Sequence, residues 1–135
     1  MKMSLLIVAT LLLTASAASE EKDDRREETA MADFIAINEL VSVDAIRTMA
    51  REQLVATAVN DTYIIVSTRK QDYLVEYYVR CTQRYDGQVE PDVRRDSTAL
   101  YPGVDTFRGC RIKAIYAIGP GQVDELRDIG RSVGG

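Results

Sequence analysis

The sequence predicts an α+β fold: one main helix packed on an antiparallel β-sheet. Three observations carry the prediction. Apolar residues recur at helical spacing between Val43 and Ala58. Further along, the period changes from 3.6 to 2 in three segments rich in β-branched and aromatic residues. The chain's only two cysteines, Cys81 and Cys110, fall on the apolar faces of the second and third of those segments.

The elements follow in order. Residues 1–18 read as a signal peptide: Lys2 gives a positive start, Leu5 to Leu13 is apolar except for Thr10, and Thr14-Ala15-Ser16-Ala17-Ala18 is a small-residue exit. Cleavage is expected after Ala17 or Ala18. The apolar run is too short for a bilayer, which takes about 20 residues. Residues 19–29 are almost entirely charged and are expected to form a disordered tail. Residues 30–135 are expected to form a single domain. Ala30 to Leu40 is apolar, and helix and strand compete there. Ser42 reads as an N-cap, followed by a helix from Val43 to Ala58 with Ile46, Met49, Ala50, Leu54 and Ala58 on one stripe. Asn60-Asp61 ends it.

Tyr63 to Thr68 reads as a strand, Arg69-Lys70-Gln71-Asp72 as a polar turn, and Tyr73 to Thr82 as a second strand. In the second strand Tyr73, Val75, Tyr77, Val79 and Cys81 form the expected buried face. Leu74 and Tyr78 lie on the outer face and are candidates for a binding patch. A third strand spans Cys110 to Ile118, with Cys110, Ile112, Ala114, Tyr116 and Ile118 on its apolar face. If the last two strands pair antiparallel, Cys81 and Cys110 come level and can bridge. An intermolecular link or two free thiols are the other readings. Between them Gln83 to Gly109 is a loop long enough to be functional or mobile. Gly119-Pro120-Gly121 is a turn, and Gln122 to Arg131 can form a short helix.

Charge and composition narrow the function. The net charge is −4 with no basic cluster, and loss of Lys2 with the signal makes it more negative, so nucleic acid is an unsuitable partner. The chain contains no histidine, which removes the Ser-His-Asp and Cys-His arrangements. Two cysteines without histidine do not make a zinc site. Asp86, Glu90, Asp92, Asp96 and Asp105 lack the spacing of a calcium loop. No catalytic residue, metal or cofactor is therefore expected. Asn60-Asp61-Thr62 is a glycosylation sequon, placed at the expected helix–strand junction. Arg25-Arg26 and Arg94-Arg95 are dibasic pairs at which a precursor could be cut.

The stretch Ser67-Thr68-Arg69-Lys70-Gln71, followed by Tyr73-Leu74-Val75-Glu76, resembles the second strand, first hairpin and third strand of the cystatin family. Cys110-Arg-Ile-Lys-Ala-Ile-Tyr-Ala-Ile118 is similar to its fourth strand, and Gly119-Pro120-Gly121 stands where that family has its second hairpin. The resemblance covers roughly residues 40–121. It implies a helix wrapped by an antiparallel sheet, with binding at the hairpins Arg69, Lys70, Gln71, Asp72 and Gly119, Pro120, Gly121. The family inhibits papain-like proteases through an N-terminal glycine, a Gln-x-Val-x-Gly hairpin and a Pro-Trp hairpin. This chain has no glycine before Gly87, no Val-x-Gly in its first hairpin and no tryptophan. The expectation is a secreted, extracellular, non-enzymatic protein-binding module, monomer or weak dimer, with no membrane attachment once the signal is removed. A divergent inhibitor of papain-like proteases and a precursor processed at the dibasic sites are the alternatives.

Overall fold

The computed structural model of the chain describes residues 26, 28–49, 52–81, 87–89, 92 and 96–134. The expected signal peptide, most of the charged tail and Arg94-Arg95 lie outside those residues. A helix, α1, covers residues 28–37. Eight strands follow: β1 (Ile46–Arg47), β2 (Leu54–Ala58), β3 (Tyr63–Ser67), β4 (Asp72–Tyr77), β5 (Gly87–Val89), β6 (Ala99–Leu100), β7 (Thr106–Phe107) and β8 (Cys110–Ile118). Helix α2 (Pro120–Gly134) closes the order. Six strands form one antiparallel sheet in the order β5-β2-β3-β4-β8-β7, curled into a half-barrel, while β1 and β6 pair separately. The α+β class, with helix packed on antiparallel sheet, is therefore present. No described helix is long and apolar enough to cross a membrane.

The helices are not where the apolar spacing placed the main one. Residues 43–58 carry β1 and β2, and Met49 of the expected stripe is exposed. Leu54 and Ala56 point into one core, and β2 finds a full partner in β3, from Val55↔Ser67 to Ala58↔Ile64. Val55 and Thr57 are β-branched, and a paired strand suits them better than a helix interior. The ambiguous stretch before it is the helix. Met31, Phe34 and Ile35 fall on one side of α1 and enter the core. The helix ends in a Schellman motif: the Leu40 amide donates to Ile35 O, the Glu39 amide to Ala36 O, and Glu39 takes a left-handed φ of 51°.

Two cores lie on opposite faces of the sheet. Inside the curl, Leu54, Ala56, Ile64, Val66, Val75, Tyr77, Ile112 and Ile115 meet Ile46, Leu100 and Phe107. On the outer face, Tyr63, Ile65, Leu74 and Ile118 meet Met31 and Phe34 of α1 and Leu126 of α2. The single buried face expected for Tyr73 to Thr82 is thus corrected. Both Leu74 and Val75 are fully buried, β4 stops at Tyr77, and Val79 is 69% exposed. The third strand has the predicted bounds but not one apolar face. A register shift where Glu76↔Ala114 gives way to Tyr77↔Ile112 leaves Lys113 as an extra residue on β8. Ile112 and Ile115 consequently share the inner core while Tyr116 and Ile118 face the helices.

Cys81 and Cys110 are joined, with S–S 2.01 Å and Cα–Cα 6.0 Å. The connection they close supplies β5, β6 and β7. It crosses from the β2 edge of the sheet to the β8 edge and buries Ala99, Leu100, Asp105 and Phe107 on the way. Replacing both cysteines by serine should lower the unfolding free energy by about 3–4 kcal/mol, read from denaturant midpoints. At the same end of the sheet, α2 crosses the β2–β3 turn at Gly130, where an added Cβ would stand 2.7 Å from Val59 O. Alanine is better than glycine in a free helix by about 1 kcal/mol. Here a carbonyl of a hydrogen-bonded turn must move, which costs about 1–3 kcal/mol. Gly130→Ala should therefore lower the melting temperature.

Candidate functional site

The sheet presents two ends, and the residues singled out from the sequence divide between them. At one end is the β3–β4 hairpin. Thr68 builds it: its Oγ1 accepts the amides of Lys70 and Gln71 at 3.2 and 3.1 Å and donates to Gln71 O at 3.0 Å, and its own amide donates to Gln71 O at 2.9 Å. Arg69 and Lys70 are left pointing to solvent. Asp72 is the first residue of β4 and pairs with Ile118. Gln71 reaches the same neighbour, its Nε2 donating to Ile118 O at 2.7 Å. The two segments proposed as binding hairpins are therefore side by side.

The second of them is not a hairpin. Gly119 is the cap of α2 and Pro120 its first helical residue, a position where proline's fixed φ is already helical and its missing N–H costs nothing. The Gly119 amide donates to Gln122 Oε1 at 2.8 Å, as in a capping box, and the amides of Gln122 and Val123 donate to Gly119 O. Gln122 Nε2 in turn donates to Asn38 Oδ1 at 3.2 Å, and Asn38 Nδ2 to Phe34 O at 2.9 Å, which ties the start of α2 to the end of α1. A rigid helix start occupies the place of a projecting loop. Glu52 clamps this end. Its carboxylate accepts the Met49 amide at 2.9 Å and the Arg69 amide at 3.1 Å, and those two bonds hold its pKa below the ordinary carboxylate value.

The other end carries the disulfide. Asn60 lies in the turn between β2 and β3, not at a helix–strand junction. Its Oδ1 accepts the amides of Thr62 and Tyr63, both at 2.9 Å. Asp61 ties that turn to the segment leaving β4: Asp61 O accepts the Cys81 amide, and its carboxylate meets Arg80 Nη2 at 2.7 Å. Tyr78 precedes this anchor. Its amide donates to Arg111 O at 3.2 Å, and its hydroxyl lies 3.8 Å from where a Cβ would stand on Gly103, whose own amide donates to Ile112 O. The ring thus lies across β8 at the level of Arg111 and Ile112. It is 55% exposed, beside a turn that carries Val104 at 63% exposure. Arg111 and Lys113 are exposed on the same stretch of β8. Leu74, the expected companion of Tyr78, is sealed beneath the helices instead.

Three acidic residues of the long connection, Asp92, Asp96 and Asp105, hold its backbone and side chains together, while Asp86 and Glu90 lie outside the described residues. Asp92 Oδ2 accepts Thr106 Oγ1 at 2.8 Å and the Gly109 amide at 2.7 Å. Asp105 accepts the Tyr101 amide at 2.7 Å. Asp96 accepts the hydroxyl and amide of Thr98, which lower its pKa. No three potential ligands gather around a metal position among the described residues. On the outer face Tyr63 donates to Glu76 at 2.7 Å, and burial together with that bond raises its pKa, so it stays a neutral donor.

No family model, no curated protein and no solved structure matches this chain. Two supports of the cystatin resemblance also differ in the fold: the expected helix segment carries the strands at 46–47 and 54–58, and residues 120–121 begin a helix capped by Gly119. The Glu52 clamp is directly testable. A carboxylate with a depressed pKa contributes stability above its ordinary value and loses it as pH falls through the lower, folded value. The amide resonances of Met49 and Arg69 should titrate together with a midpoint below the ordinary 4.5 of a glutamate, and Glu52→Gln should abolish that shared transition.

Proposed function

We propose that this chain is a secreted, non-enzymatic protein-binding module whose contact surface is the disulfide-bearing end of the sheet, centred on Tyr78. The observation that carries the reading is an exposed tyrosine set on a rigid support. Its amide is held by β8, the Cys81 amide by Asp61, and the chain is covalently tied to β8 through Cys110. A preordered aromatic loses little entropy on binding, and tyrosine and arginine are the side chains most often decisive at protein interfaces. Val79 and Val104 extend the apolar area beside it. Arg111 and Lys113 add positive charge to a protein whose net charge is −4. The partner is therefore a protein that offers an apolar contact flanked by carboxylates. The signal-like residues 1–18 and the disulfide support secretion.

A second reading, inhibition of a papain-like cysteine protease, draws on the adjacency of Arg69 to Asp72 and Gly119 to Gly121 at the opposite end. A wedge there would have to be made by one hairpin and a helix start. The two readings put the contact at opposite ends of the molecule, which makes them separable. Peptides selected on the intact, oxidised protein should be rich in Asp and Glu next to apolar residues, and Tyr78→Ser with Val104→Asp should weaken them about tenfold or more. Peptides with no acidic bias, or unaffected by those changes, would refute the site. Sub-micromolar inhibition of papain, abolished by changes at Lys70 and Gln71, would replace it with the second reading.

A further inference from the structure

We propose that Asn60 is an occupied N-glycosylation site, and that the turn holding it is built to accept the sugar without structural cost. The sequon Asn60-Asp61-Thr62 has no proline in the middle position and supplies the hydroxyl residue that the transfer requires. The structure adds what the motif alone does not say. Among the described residues the Asn60 side chain hydrogen-bonds through Oδ1, which accepts the Thr62 and Tyr63 amides, both at 2.9 Å. Those donors fix the amide plane with Oδ1 turned into the turn, so Nδ2, on the opposite arm of the same carbon, is turned away from it. The residue is half-exposed and lies at a hairpin tip.

Glycosylation replaces one N–H of Nδ2 by a bond to the anomeric carbon of the sugar. The lipid-linked pyrophosphate leaves, and the displaced proton passes to the medium. Oδ1 is untouched, so both turn bonds survive the modification. The backbone around the site is independently anchored. Asp61 O accepts the Cys81 amide, the Asp61 carboxylate pairs with Arg80, Thr62 O accepts the Tyr77 amide at 2.8 Å, and the Val59 and Asn60 amides both donate to Tyr63 O at 3.2 Å. A bulky substituent at Nδ2 therefore sits on a support that it does not have to order. The same anchors place the sugar next to the segment that carries Tyr78, at the disulfide end of the molecule.

The inference requires passage through a eukaryotic secretory pathway and so rests on the secretion reading, but the experiment separates the two. The full chain, residues 1–135, is expressed in insect cells, and both medium and cell fractions are analysed by intact mass and by peptide mapping after treatment with peptide-N-glycosidase F. The expected result is a secreted chain whose mass falls on treatment, with residue 60 converted from asparagine to aspartate. Thr62→Val should abolish the mass change while the protein keeps its disulfide, and Thr62→Ser should restore it. A chain that reaches the medium with an unmodified Asn60 would overturn the glycosylation while leaving secretion standing. A chain confined to the cells without sugar would overturn both.

Discussion

The ladder between β4 and β8 is the constraint on which the rest of the molecule depends. It brings the C-terminal strand against the middle of the chain, from Asp72↔Ile118 to Tyr77↔Ile112. Every other component is attached to one of those two strands or supported by them. β3 and β2 extend the sheet from β4, β7 pairs with β8, the Ser42 bridge reaches Tyr116, and α2 starts directly after Ile118. The ladder also separates the two cores. Val75 and Leu74 are neighbours in sequence, yet one belongs inside the curl and the other under the helices. A strand buried on both faces cannot alternate apolar with polar, and Ile64-Ile65-Val66 in β3 obeys the same rule.

The extra residue at Lys113 reconciles these demands. Without it, the residues of β8 near Cys110 would carry the opposite facing to those they adopt. With it, Ile112 meets the inner core at one end, Tyr116 and Ile118 meet the helices at the other, and Lys113 is left outside near Glu76 at 4.0 Å. The shift lies at the level where Tyr78 crosses the strand. The irregularity that satisfies the packing therefore also shapes the exposed end of the sheet, consistent with the frequency of bulges near functional surfaces.

Part of this was legible from the sequence. The bounds of β8, and those of β3 to within a residue, are legible because β-branched density over Tyr63 to Ser67 and Cys110 to Ile118 leaves little room for a helix. The disulfide was legible because both cysteines flank segments that could pair. The segment Leu54-Val55-Ala56-Thr57-Ala58 is ambiguous in sequence because it satisfies both periods: Leu54 and Ala58 match a helix, while Leu54, Ala56 and Ala58 match a strand. Only the presence of β3 as a partner decides between them, and that is tertiary information. The candidate site is legible in fragments. The alternation along the strand marks Tyr78, but its exposure depends on β4 ending at Tyr77 and on helices covering Leu74. Val104 and the Glu52 clamp carried no local signal, since each acquires its role from residues distant in sequence.

Both rims of the six-stranded sheet come from one stretch of chain. β5 protects the edge at β2 and β7 the edge at β8, and both lie between Cys81 and Cys110. The connection behaves as a belt whose buckle is the cystine. Opening it in a reducing compartment frees the belt from its tether and weakens the guard on both rims together. Strands with unpaired N–H and C=O groups are templates for self-association. In an oxidising environment the cystine thus guards this protein against aggregation as well as against unfolding.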